Sequence, residues 1–206
     1  MKKDITEKIR RKYNRISSYY DLMELPLEKI AFSRWRKKIF SFLEGDDILE
    51  VGVGTGKNFD FYPVGKPITA IDFSPGMLSG AKKRAESKGI KVNLLNMDVQ
   101  DLQFGDQSFN TVLATFVFCS VPDPVRGLKE IKRVCKRDGR VILLEHVRPK
   151  GTLLGKSFDL LNSFTFRIMG VNINRDTVQN MRKAELKIVE DKNLFRDIVK
   201  LIIANP

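Results

Sequence analysis

The 206-residue chain is long enough to bury a core of ordinary domain size, and no apolar run reaches the roughly 18–20 residues that would span a bilayer. Its formal charge of +12 is uneven: residues 1–40 carry twelve Lys/Arg against five Asp/Glu, which points either to an anionic partner (membrane surface, nucleic acid or phosphorylated substrate) or to a solvated basic surface with none. The charged N-terminus, MKKDITEKIRRKY, has no apolar segment and is not expected to be a secretory signal, while Cys119 and Cys135 sit at no metal or redox spacing and read as reduced core thiols in a cytoplasmic protein.

The first forty residues read as two amphipathic helices. Ile5, Ile9, Tyr13, Ile16 and Tyr20 form one apolar stripe, with Lys8, Arg11, Lys12 and Arg15 off it. After Pro26, Leu27, Ile30, Ala31, Trp35 and Ile39 form a second. From Asp47 the pattern alternates. Asp47–Val53 is a short apolar strand entering a glycine turn, and Ile68–Asp72 is a second strand. Ser74-Pro75 then supplies an N-cap and first helical residue for a helix that stops at Gly89. Val92–Met97 and Thr111–Phe116 are further strands, Leu128 to Lys136 is an amphipathic helix ending at Asp138-Gly139, and Val141–Glu145 is the fifth strand.

Strands alternating with helices predict a parallel, doubly wound sheet. Thr177–Ala184 reads as a helix, and Leu186–Val189 and Ile198–Ala204 as two strands whose link is too short for a crossover, so this last pair is expected to be antiparallel. The expected architecture is α/β: a doubly wound, mostly parallel seven-stranded Rossmann-like sheet with an antiparallel C-terminal hairpin. No linker divides residues 1–206, so a single domain is expected, with basic helices over 1–43 and the Rossmann-like core over 44–206.

Glu50-Val51-Gly52-Val53-Gly54-Thr55-Gly56 follows the first strand, where open α/β sheets bind ligands. A phosphate-binding loop needs G-x-x-x-x-G-K-[ST]; here Gly52 and Gly56 are one residue too close, and Asn58 stands where the metal-binding hydroxyl belongs. A dinucleotide fold needs G-x-G-x-x-G, which this turn also lacks. Its E-x-G-x-G-x-G pattern resembles motif I of the class I S-adenosylmethionine-dependent methyltransferases, whose sheet also closes with an antiparallel hairpin. Ser-Tyr-Tyr-Asp at 18–21, Pro26-Leu27-Glu28, Phe32-Ser33-Arg34-Trp35-Arg36 and Asp72-Phe73-Ser74-Pro75-Gly76-Met77-Leu78 are similar to the bacterial phosphatidylethanolamine N-methyltransferase family. Leu144-Glu145-His146-Val147-Arg148 and Asn174-Arg175-Asp176-Thr177 fit it too. Quinone-precursor C-methyltransferases share the Tyr-Asp element and much of the core.

The resemblance implies S-adenosyl-L-methionine as methyl donor and S-adenosyl-L-homocysteine as product. Glu50, Gly52, Gly54, Gly56 and Asn58 would surround the methionine part. Asp72, ending the second strand, would accept the ribose hydroxyls, with Phe73 and Met77 beside it. Asp98 would accept from the adenine amino group and Val99 would pack on the ring. Thr115 and Phe116 would lie beside the methyl donor, and Tyr20 would fold over the cofactor. For each aspartate, a turn or cap role competes.

Methyl transfer from a sulfonium requires alignment of donor and deprotonated acceptor; no nucleophilic triad or metal cluster is visible in the sequence. His146, the only histidine, could accept an acceptor's proton. Tyr20 is the second candidate catalytic residue, against the alternative of an ordinary stripe aromatic. Three functions remain open: methylation of phosphatidylethanolamine by a peripheral enzyme on the inner membrane face, a soluble methyltransferase for a quinone precursor or other small molecule, and a basic RNA-binding protein of the same fold. The last ranks lowest, because no aromatic-and-basic RNA signature is present. The basic N-terminal stripe either enters an anionic membrane interface or packs on the domain over the cofactor.

Overall fold

The computed structural model describes residues 2–27 and 31–206; the expected positions at Glu28 and Ile30 lie outside the described residues. Among the described residues, the N-terminal region contains three helices where two were expected: α1 (Lys2–Ile16), α2 (Tyr20–Leu27) and α3 (Ser33–Phe40). The first stripe breaks between Ile16 and Tyr20. There Ser17 Oγ donates to the Asn14 carbonyl at 2.9 Å, the local bonding by which serine competes with a continuing helix.

One seven-stranded sheet runs in the order β3-β2-β1-β4-β5-β7-β6. β1 (Ile48–Val51), β2 (Ile68–Asp72), β3 (Asn93–Asn96), β4 (Phe109–Thr115) and β5 (Cys135–His146) are parallel. β7 (Val199–Asn205) pairs antiparallel with both β5 and β6 (Lys187–Phe195). Helices α4 (Pro75–Lys88), α5 (Pro124–Val134), α6 (Thr152–Met169) and α7 (Thr177–Lys183) complete the fold.

Alternation along the strands feeds a core on each face of the sheet. Leu49, Val51, Val112, Ala114 and Leu143 face α5 and α7 through Leu128, Ile131 and Met181. Ile48, Leu113, Ile142 and Leu144 pack with Ile39 of α3 on the other face. Both faces are covered, which explains why these strands read as continuous apolar runs. Each fully buried Leu or Ile stabilises the fold by about 1.5–3 kcal/mol.

The expected caps of α4 form: Ser74 Oγ accepts the Met77 N–H at 3.2 Å, and Gly89 ends the helix in the left-handed conformation at φ +63°. α5 stops two residues earlier than expected. Cys135 is extended and pairs with Phe109, so sheet pairing takes over from helix propensity at Val134, and Lys136 to Gly139 belong to β5. α6 was not anticipated.

Candidate active site

The strand order reverses beside β1: the chain passes from β1 outward to β3, then returns to β4 on the other side. That switch point opens a crevice at the strands' C-terminal ends, and the glycine turn lies in it. Gly52 and Gly54 take φ +68° and +56°, values that side chains other than glycine's adopt only with strain. A Cβ on Gly52 would stand 2.4 Å from Val117 Cγ2, whereas one on Gly54 would meet nothing within 4 Å. Gly54 therefore turns its backbone toward open space. Gly56 lies deeper, with the Phe59 ring where its Cβ would be.

Asp72, at the end of β2, is buried. Its Oδ2 accepts the Gly54 N–H at 2.9 Å and its Oδ1 accepts the Ser74 N–H at 2.8 Å. Burial pushes its pKa up to about 6, against the opposing pull of those two N–H donors. Each oxygen keeps lone-pair capacity for a further donor. Beyond β3, Asp98 Oδ1 accepts the Gln100 N–H at 2.9 Å, and the Gln100 amide reaches both its oxygens at 3.1 and 3.0 Å. The same amide accepts the Asp123 N–H through Oε1, which fixes which way it faces.

A buried polar network supports the turn from below. Arg36 Nη1 donates to Asn58 Oδ1 and Thr115 Oγ1, both at 3.0 Å. Asn58 in turn donates to Glu50 Oε1 at 2.8 Å, and the Tyr62 hydroxyl donates to Glu50 Oε2 at 2.5 Å. Burial raises the Glu50 pKa, which the Tyr62 and Asn58 bonds and the Arg36 charge oppose. Phe116 leaves β4 at φ +57°, a costly conformation for an aromatic residue. Its ring is held by Phe32 (centroids 4.6 Å apart), by a stacked His146 at 4.5 Å and by the Arg36 guanidinium at 5.6 Å.

The N-terminal helices close the crevice. The hydroxyls of Tyr13 and Ser120 share a 2.6 Å hydrogen bond between α1 and the loop after β4. Asp21 of α2 accepts from Thr55 Oγ1 at 2.6 Å, is ion-paired with Arg84, and has Lys57 Nζ 3.8 Å away. The Lys57 ammonium lies 5.5 Å from the Tyr20 ring centre. Together with solvent at its mouth, the cleft holds about 850 Å³ of empty space.

Tyr20, Gly52, Gly54, Asp72, Phe73, Met77, Asp98, Val99, Thr115 and Phe116 all line this one cleft. Glu50, Gly56, Asn58 and His146 are not among its lining residues. Glu50 and Asn58 brace the turn instead, and His146 stands behind Phe116. Sequence reasoning did not single out Tyr13, Arg36, Lys57, Gln100 or Ser120, which also line it. One signal was available for Arg36: it lies four residues after Phe32 and three before Ile39, at helical spacing from two apolar residues, although it falls beside the stripe and not on it.

S-adenosylmethionine, the group implied by the resemblance, fits these residues. The turn leaves room over Gly54, Asp72 retains acceptor capacity for two hydroxyls, and Arg36 offers a buried cation that complements an amino-acid carboxylate.

Residues 49–143 match the family model described as a methyltransferase domain. A phosphatidylethanolamine N-methyltransferase of Cereibacter sphaeroides is 36% identical over 150 residues, covering 64% of this chain and 74% of that protein. A demethylmenaquinone methyltransferase of Clavibacter sepedonicus is 27% identical over 227 residues, covering 98% and 92%. Among solved structures, a SAM-dependent methyltransferase of Thermotoga maritima superposes with a TM-score of 0.73 at 21% identity, covering 96% of this chain and 99% of that one.

Proposed function

The chain belongs to the class I S-adenosylmethionine-dependent methyltransferases, and on that premise we propose that it methylates the amine headgroup of phosphatidylethanolamine at a membrane surface. The observation that carries this reading is its 36% identity to the Cereibacter enzyme of that activity.

Bound S-adenosylmethionine supplies a methyl group on a sulfonium, and the chain's residues orient it. In this reading Asp72 accepts the two ribose hydroxyls and Asp98 the adenine amino group. Arg36 faces the methionine carboxylate, and the Gly52–Gly54 backbone lets the ligand approach closely. An amine must reach the methyl neutral, and the Tyr13–Ser120 hydroxyl pair in the cleft offers an oxygen that can accept its N–H. His146 acts on the site through the face of Phe116.

A second reading, C-methylation of a demethylmenaquinone, is favoured by the alignment over 98% of the chain with the Clavibacter enzyme. Purified protein incubated with methyl-labelled cofactor and either phosphatidylethanolamine or demethylmenaquinone separates the two. Label in mono- and dimethylated headgroups is expected. Label confined to the quinone would replace the first reading with the second.

A further inference from the structure

The basic N-terminal stripe makes α1 one candidate element to meet a membrane; its Lys8, Arg11 and Arg15 are exposed, but Ile9 and Lys12 are engaged elsewhere. Ile9 is buried and lies beside Gly170, just past the end of α6. Lys12 Nζ donates to the carbonyls of Phe166 and Arg167, at 2.8 and 2.7 Å. Both carbonyls belong to the last turn of α6, where a cation is favoured. α1 therefore packs on α6.

α6 presents an apolar face of its own. Leu153, Leu160, Phe164 and Ile168 are 82%, 81%, 64% and 58% exposed, and Leu154 and Leu161 are exposed beside them. At 3.6 residues per turn these six positions fall within one arc of about 120°. A neighbouring arc holds Gly155, Phe158, Asn162 and Thr165, which face the domain. Asn162 Oδ1 accepts the Ile173 N–H, and Thr165 Oγ1 donates to the Val171 carbonyl. Lys156 and Arg167 flank the apolar arc on its other side. Asp159, the one acidic residue of α6, is neutralised by Arg148 at 2.6 Å. Lys150 precedes the helix by two residues.

We propose that the exposed face of α6 docks on an anionic lipid bilayer, lying in the plane of the interface. An apolar arc bordered by Lys156 and Arg167, which form no ion pair among the described residues, on a chain of net charge +12, complements acidic headgroups above acyl chains. No described helix is long and apolar enough to cross a membrane. The face also lies close to the cleft: Asn172, two residues beyond the Gly170 cap, donates its N–H to the Cys119 carbonyl, and the adjacent Ser120 lines the cleft. Docking through α6 would hold that mouth at the lipid surface. The inference rests on the reading of a lipid acceptor.

Flotation with phosphatidylglycerol vesicles that contain no phosphatidylethanolamine tests docking without any methyl transfer. The full chain is expected to float with them, less so at high salt, and weakly with phosphatidylcholine vesicles. Leu160→Ser/Phe164→Ser is expected to lower vesicle affinity about tenfold or more while S-adenosylmethionine affinity, measured by calorimetry, stays unchanged. Val64→Ser, which alters an exposed apolar residue far along the chain, is expected to float as the parent does. Equal flotation by parent and double variant, or none by the parent, overturns the proposal. So does a parent dimer that the double variant dissolves, since a second copy would then cover the face. Methylation of phosphatidylethanolamine dispersed in detergent is scored separately. Flotation without that activity would discard the acceptor and keep the docking face; activity without flotation would do the reverse.

Discussion

The backbone N–H of Gly54 donates to Asp72 Oδ2 at 2.9 Å, across eighteen residues of chain. This bond ties the ligand turn after β1 to the carboxylate that ends β2, so the two strands present their functional groups as one surface. Asp72→Ala removes that tie and an acceptor for ligand hydroxyls. S-adenosylmethionine affinity should fall by about 1.5–3 kcal/mol, the scale for hydrogen bonds to a charged group. Asp98→Ala should cost less, because ring packing on Met97 and Val99 remains. Calorimetry on the folded variants decides; an unchanged Asp72→Ala affinity would refute the ribose assignment.

Gly54→Ala separates backbone strain from ligand space. Its φ of +56° makes any side chain unfavourable by about 1–2 kcal/mol, and its Cβ would point into open cleft. The stability loss should therefore be small and the loss of cofactor binding much larger. A variant that binds normally would place the ligand elsewhere.

Acid should weaken cofactor binding through Asp72. Its pKa is raised to about 6, so near that value proton and ligand hydroxyls compete for the same oxygens. Affinity should rise as pH passes upward through about 6 and then level off. Proton release or uptake on binding, read as the dependence of calorimetric heat on buffer ionisation enthalpy, provides the check. A profile flat across that range would show that the ligand does not use the ionised carboxylate.

Arg36 joins α3 to the turn, and Arg36→Met keeps most of its bulk while removing both bonds to Asn58 and Thr115. Breaking such a buried charge arrangement typically costs about 3–5 kcal/mol. Glu50 would lose a cation that lowers its pKa, so it would take up a proton more readily and the penalty should shrink on acidification. Urea unfolding at neutral and acidic pH tests both parts. An equal penalty at the two pH values would remove Glu50 from the explanation.

The sheet and the cleft were legible to the extent that local rules governed them. Ser74-Pro75, Gly89, Asp72 at the end of β2 and Asp98 two residues past β3 carry their own chemistry, and both aspartates line the one cleft. α6 escaped because apolar residues occur on both its buried and its exposed arcs, which blurs the 3.6-residue period. Amphipathicity in the N-terminal stripe names no partner; its partners emerge only from the contacts of Ile9 and Lys12 with the end of α6, of Asn14 with Ser74 and Gly76 at the start of α4, and of Tyr13 with Ser120. His146 was assigned from its place at the strand edge, which gives no side-chain direction. The Phe116 backbone, at φ +57°, puts that ring between the histidine and the cleft.

Glu145 gives the chain a stability that depends on pH. It is fully buried on β5; one oxygen accepts the N–H groups of Val117 and Phe118 at 2.9 and 3.1 Å, and Oε2 has no hydrogen-bond partner among the described residues. Burial pushes its pKa up to about 8, against the pull of the two N–H donors. The folded chain thus keeps a proton that the unfolded chain releases near its ordinary value of 4.5. Because the native state binds more protons across that window, stability is greatest below it and falls as pH rises toward about 8. Glu145→Gln is neutral throughout and can still accept both N–H groups through its amide oxygen. Urea midpoints for the parent should therefore drop between about pH 5 and pH 9 more steeply than those of the variant, which should be the more stable at the alkaline end. Asp72 and every other titrating group are common to both chains, so the difference between the two curves isolates Glu145. Parallel curves would mean that water reaches Oε2 and relieves the burial that raises its pKa.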